Sequence, residues 1–178
     1  LVAGNLVVEV LKEGVHSGDA SGIVASSFRI ARNLLTRLED PDSGKIQLDE
    51  LHVKIPKERQ KQAKATAKVL GKALWSKFPW VEGMRPMKKD PAELMLNRTW
   101  RPTLSVTGVD GFPELKSAGN VLRPYTAFKL SLRLPPLVDG NEASLKLKQL
   151  LEDNAPYNAR VTFHPDGRAG ALGASGWN

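Results

Sequence analysis

Between Tyr125 and Leu134 the chain alternates. Phe128, Leu130, Leu132 and Leu134 fall on one side of an extended backbone, and Lys129, Ser131 and Arg133 fall on the other. Pro135-Pro136 ends the run. A period of two belongs to a strand and not to a helix, so one face of this segment is covered by apolar partners and the other is polar. Three further strands and two helices are predicted around it. Asn5 to Leu11 is apolar and β-branched, Thr103 to Val109 ends in the turn residues Asp110-Gly111, and Ala159 to Phe163 comes last.

A helix is predicted from Gly22 to Leu38, with Val24, Phe28, Ala31, Leu35 and Leu38 on its apolar face. Ser17, Asp19 and Ser21 are candidates for its N-terminal cap, and the Glu39 to Gly44 segment stops it. A second helix is predicted from Asn141 to Asp153, with Ala143, Leu147, Leu150 and Leu151 inward. Residues 45–101 read as a helical insertion with extended connections: a basic helix from Lys57 to Trp75, then a Pro-, Met- and Trp-containing stretch from Phe78 to Trp100. Residues 167–178, rich in glycine and alanine, read as a connector.

Without the insertion the order is strand, helix, strand, strand, helix, strand. That order predicts an α+β fold, the ferredoxin-like β-α-β-β-α-β sandwich: a four-stranded antiparallel sheet with two helices on one face. A chain of 178 residues is long enough to bury a core and is read as a single domain, 1–178. The scaffold hosts many activities and selects none.

Bulk composition narrows the classes. No apolar run approaches the roughly 20 residues that span a bilayer, no cleavable leader is visible, and no membrane partner is expected. With no cysteine, disulfides, thiolate metal sites and cysteine nucleophiles are excluded within the chain, and a cytoplasmic location is expected. The net charge of +7 raises the question of nucleic acid. The basic residues concentrate on the Lys57–Trp75 helix, where Ala63, Val69, Leu70, Ala73 and Leu74 read as a core stripe under a solvated face. Its lysines are not interleaved with the four Trp and two Tyr as a base-stacking platform requires, so nucleic acid is not the expected partner.

Few residues could do chemistry. The three histidines, His16, His52 and His164, are isolated, without a His-x-Asp, Glu-Glu or His-x-x-x-His cluster, so no metal centre is expected within the chain. There is no Gly-x-Ser-x-Gly elbow. Three residues nevertheless stand out, each with two readings. His16, between Gly14 and Gly18 at a strand end, is either a loop histidine without a role or a side chain free to reach into another site. Asn120, in Ala118-Gly119-Asn120-Val121, is either a turn residue or a hydrogen-bonding group. Arg133 is either a surface cation or a two-pronged carboxylate binder.

Four segments, in order, carry a resemblance. Gly14 to Gly18 with Ser21-Gly22, Trp100 to Val106, Ala118 to Pro124 and Leu130 to Pro136 resemble the lid of metallopeptidase family 20. That family includes carnosine dipeptidases, glutamate carboxypeptidases, aminoacylases and succinyl-diaminopimelate desuccinylase. The long segment before Trp100 is most similar to the carnosinase-type branch. The resemblance implies a dimerisation and lid domain excised from a catalytic domain that holds two zinc ions and would precede Leu1 and resume after Asn178. It implies a homodimer formed through the lid and a small peptide or N-acyl amino acid substrate. His16 would reach the partner's active site and stabilise the oxyanion as a catalytic group. Asn120 would bind substrate there, and Arg133 would hold its terminal carboxylate. No segment here matches a zinc-ligand motif, so the isolated chain is expected to be inactive. The alternative from charge and fold alone is a non-catalytic α+β module binding a small ligand or RNA.

Overall fold

The computed structural model describes residues 1–167; most of the expected connector, from residue 168 on, lies outside the described residues. In chain order the elements are β1 (Val2–Glu9), β2 (Val15–His16), α1 (Ser17–Ala20), α2 (Ser27–Leu38), α3 (Lys57–Leu70), α4 (Ala73–Ser76) and α5 (Pro91–Trp100). They continue with β3 (Thr103–Asp110), β4 (Val121–Leu122), β5 (Tyr125–Arg133), α6 (Gly140–Glu152) and β6 (Arg160–Pro165).

The alternation in β5 sets the layers. Its buried residues, Thr126, Phe128, Leu130 and Leu132, face the helical layer, in which α2 covers β5 and β1 while α6 covers β6 and β1. The main sheet has the order β3-β5-β1-β6, with every neighbouring pair antiparallel. This is the α+β sandwich expected from the sequence, with both helices on one face and also packed against each other. Register places Leu6 between Phe128 and Phe163, and the helices close over them with Ile30, Leu34, Leu38, Ala143, Leu147 and Leu151. Burying each of the Leu, Ile and Phe side chains contributes about 1.5–3 kcal/mol. One position in β1 must stay bare: a Cβ on Gly4 would sit 2.6 Å from the Phe163 ring and from the His164 carbonyl oxygen.

The first long helix begins later than its apolar spacing predicts. Ser26, not Ser17, Asp19 or Ser21, caps α2 by accepting from the Arg29 N–H at 3.3 Å, while Ser17–Ala20 form a separate turn. Its buried face is also rotated. Ile30 and Leu34 point inward, whereas Phe28 is 41% exposed. Phe28 instead stands edge-on to Phe112 and Phe128, with ring centroids 5.7 and 5.6 Å away. Two apolar stripes share Ala31 and Leu38, and the aromatic neighbours near β3 claim the one carrying Phe28.

Between α2 and β3 a second cluster buries Ala63, Ala67, Leu74, Ala92, Met95 and Leu96. The basic helix ends at Leu70, short of the expected Trp75, because Gly71 adopts φ +49° and terminates it. Val69 and Leu70, expected in its core stripe, are exposed. Within the Phe78 to Trp100 stretch of the insertion, where the sequence predicts no particular helix, lies α5. Asp90 caps it, accepting from the Ala92 N–H at 2.8 Å, and Pro91 occupies the first turn. Arg101 then ties the end of α5 to Glu93 at 2.7 Å and to Asn97 at 2.8 Å just before β3 starts.

Candidate functional site

After β1 the chain turns back on itself, and the Val10 and Leu11 N–H groups both donate to the Pro124 carbonyl, at 2.9 and 3.2 Å. Two residues of ladder follow: Val15 opposite Leu122 and His16 opposite Val121. The two segments approach closely here: a Cβ on Gly14 would meet Val121 Cγ1 at 2.7 Å, so a side chain there would displace that valine. The Ser17 N–H then donates to the Asn120 carbonyl at 2.9 Å. This ladder brings His16 and Asn120 side by side, although they are far apart in sequence.

The imidazole is oriented. His16 Nδ1 accepts from the Gly18 N–H at 3.1 Å, so in the neutral ring the proton sits on Nε2 and is available to donate outward. The side chain is 64% exposed, and Asp19 Oδ2 stands 3.9 Å from Nδ1. Asn120 is also exposed. Its loop is anchored below by Arg123, whose Nε donates to the Gly111 carbonyl at 2.7 Å. Gly111 has φ +96°, and a Cβ there would lie 2.3 Å from the Tyr125 carbonyl oxygen. Tyr125 Oη donates to Asp110 Oδ2 at 3.3 Å, and the Asp110 charge raises the tyrosine pKa above its ordinary value.

Arg133 is elsewhere. It is exposed at the far end of β5, opposite Thr103. The eight residue steps from Tyr125 to Arg133 span roughly 26 Å of strand. Within one chain, His16 and Asn120 therefore share one end of the sheet and Arg133 occupies the other. Both ends of the described domain lie with Arg133: Val2 pairs with Leu132, and the Asp166 N–H donates to the Ala3 carbonyl at 2.8 Å.

Two features escaped sequence reasoning. Arg29 and Tyr157 border a cavity of about 260 Å³ beside Leu122, with Arg29 5.4 Å over the tyrosine ring. Tyr157 holds φ +54°, a conformation rare outside glycine; the Pro156-Tyr157-Asn158 turn was its only trace in the sequence. The second is an apolar flank at the sheet edge. β3 is an edge strand, and Val106, Val109, Phe112 and Phe28 are exposed along it. Val109 lies opposite Phe128, and Phe28 touches both Phe112 and Phe128, so these side chains form one continuous patch. Among the described residues no group of three or more His, Asp or Glu could hold a metal ion. No described helix is long and apolar enough to cross a membrane.

Comparison with known proteins assigns this architecture to a class. The model of the peptidase dimerisation domain of M20 peptidases matches residues 3–159, and the chain belongs to that family. Three solved structures share the fold. The di-peptidase Dug1p from Saccharomyces cerevisiae superposes with a TM-score of 0.67 at 19% identity, over 92% of this chain and 34% of that one. Human carnosine dipeptidase 1 gives 0.66 at 20%, over 94% and 37%. The M20 family metallo-carboxypeptidase Sso-CP2 from Sulfolobus solfataricus gives 0.66 at 19%, over 93% and 38%. The chain thus spans about a third of the length of each. No curated protein sequence matches it.

Proposed function

We propose that this chain is the lid of a dinuclear zinc dipeptidase or related amidohydrolase, pairing two subunits and completing the active site of each from both. The observation that carries this reading is the separation of His16 and Asn120 from Arg133 at opposite ends of one sheet. A small dipeptide is far shorter than that separation, so one substrate cannot touch all three residues of one lid. The domain's two ends lie beside Arg133, which favours Arg133 serving the catalytic domain of its own subunit. His16 and Asn120 then serve the partner's.

In this arrangement Arg133 holds the substrate carboxylate with a fixed pair of N–H donors. His16 points Nε2–H at the scissile carbonyl and stabilises the negative charge that develops on its oxygen. Asn120 adds a neutral hydrogen bond to the same substrate. Among the described residues no cluster would hold zinc, and both zinc ions belong to the catalytic domain in this proposal. The second copy seats on the β3 edge, where unpaired backbone and the Phe28, Val106, Val109 and Phe112 flank coincide. The cytoplasmic location expected from the cysteine-free sequence belongs to the same proposal.

Mixed dimers of the full-length enzyme test it. A His16→Ala subunit paired with an Arg133→Ala subunit has one site with both residues intact if histidine acts across the dimer and arginine within the subunit. Assayed at substrate far below KM, where both variants are impaired, random mixing then restores about a quarter of the wild-type rate, since half the dimers are mixed and each has one working site. If both residues serve the same subunit, mixing restores nothing and the proposal fails.

A further inference from the structure

The positive charge of this chain is not spread over it. Residues 54–89 carry eleven Lys or Arg against two Glu, while the rest of the sequence carries fifteen against seventeen Asp or Glu. On α3, Lys57, Lys61, Lys64 and Lys68 recur at intervals of four, three and four and form one stripe. Like charges at these spacings destabilise a helix. This helix buries only Ala63 and Ala67, on a different side, so packing gives no reason for the stripe.

Beyond the C-terminal end of the stripe the chain exposes apolar side chains. Val69 and Leu70 end α3, and the following segment presents Phe78, Trp80, Val81, Met84 and Met87. Val81 is 72%, Met84 59% and Met87 68% exposed. Lys77 lies 5.4 Å over the Phe78 ring, and Lys72, Arg85, Lys88 and Lys89 are interspersed.

We infer that the insertion binds an anionic phospholipid surface, with the lysine stripe over the headgroups and the 78–87 segment entering the interface. Lysines beside exposed Trp, Phe, Val and Met are the composition of an interfacial anchor. Nucleic acid accounts for the cations but not for the exposed Val81, Met84 and Met87, and nine of the eleven cations are lysine, which lacks the two-pronged geometry of arginine. The inference does not depend on the peptidase reading, and it departs from the sequence expectation of no membrane partner because an interfacial anchor needs no spanning segment.

The test is co-sedimentation of this chain with vesicles of phosphatidylcholine, with and without phosphatidylserine. Binding should require phosphatidylserine and weaken steeply with salt. Lys61→Gln/Lys64→Gln/Lys68→Gln should lower the partition coefficient about a hundredfold, at about fivefold per lysine. These side chains are exposed and the circular dichroism spectrum should not change. Val81→Ser/Met84→Ser should lower it too while leaving the salt dependence unaltered, and Trp80 fluorescence should be quenched by brominated lipid. Equal binding to neutral vesicles, or none at low salt, overturns the inference. So does tighter binding to an RNA oligonucleotide that is indifferent to Val81→Ser/Met84→Ser, which would make the insertion a nucleic-acid surface.

Discussion

Gly4→Ala measures how tightly the central strand is packed. The added methyl would stand 2.6 Å from both the Phe163 ring and the His164 carbonyl, about 1 Å inside normal contact. Phe163 is fully buried, and β1 is held on both sides by β5 and β6, so neither the ring nor the strand can retreat freely. Overpacking of this kind costs about 1–3 kcal/mol. The lower chain entropy of alanine in the unfolded state offsets about 0.4–1 kcal/mol of it. A net loss of about 1–2 kcal/mol in a chain of this size lowers Tm by about 3–6 °C. Urea unfolding and calorimetry of Gly4→Ala, Phe163→Leu and the double variant form the assay. Phe163→Leu alone leaves a void, whereas in the double variant the new methyl occupies part of it. The double variant should therefore be more stable than the sum of the single losses predicts, by about 1 kcal/mol. Strict additivity, or a neutral Gly4→Ala, would refute the claim that the ring covers this position.

Further outcomes follow from the site and from titration. In the full-length enzyme His16→Ala should lower kcat with little change in KM, and Arg133→Ala should mainly raise KM; steady-state kinetics that move neither would remove both role assignments. A Cβ on Gly18 would lie 2.6 Å from His16 Cε1. Gly18→Ala should therefore turn the ring away and lower activity while costing under about 1 kcal/mol, because the lost cap is exposed; imidazole resonances unchanged by NMR would contradict it. Burial raises the pKa of Glu152, but hydrogen bonds from Lys148 and the Phe163 N–H and the charges of Lys148 and His164 outweigh it and hold the carboxyl below its ordinary range. A depressed folded value means that this stabilisation is complete above the unfolded pKa, about 4.3, and is lost as pH falls through the lower folded value. Glu152→Gln should flatten the acid limb of a urea-midpoint-against-pH curve below about pH 4.5, and an unaltered limb would show that the group is not coupled to folding.

Much of the sheet was legible because its signals are periodic. The alternation in β5 and the apolar Leu6–Val8 segment of β1 each encode a face locally, and the order of elements then leaves few topologies. The rotation of α2 was not legible, since two apolar stripes run through Ala31 and Leu38 and only Phe112, from another part of the chain, decides between them. The α5 helix is short, and its buried Ala92, Met95 and Leu96 acquire meaning only against α3. Its Asp90-Pro91 start was readable, however, as a cap followed by a first-turn proline. At the proposed site, His16, Asn120 and Arg133 stand out by residue type and the resemblance pairs His16 with Asn120, but spacing alone does not bring those two together. A two-residue ladder has no periodicity, so the meeting of His16 with Asn120 emerges only from the pairing of β2 with β4.

The most direct test of a pairing lid is its native mass by light scattering over a concentration series, with Val109→Lys alongside. Val109 is exposed at the centre of the β3 flank and contributes nothing to the buried core, so the variant should fold. The account predicts a dimer for the natural sequence and a monomer for the variant. A natural chain that stays monomeric at every concentration, or a variant that pairs as well as the original, would contradict it.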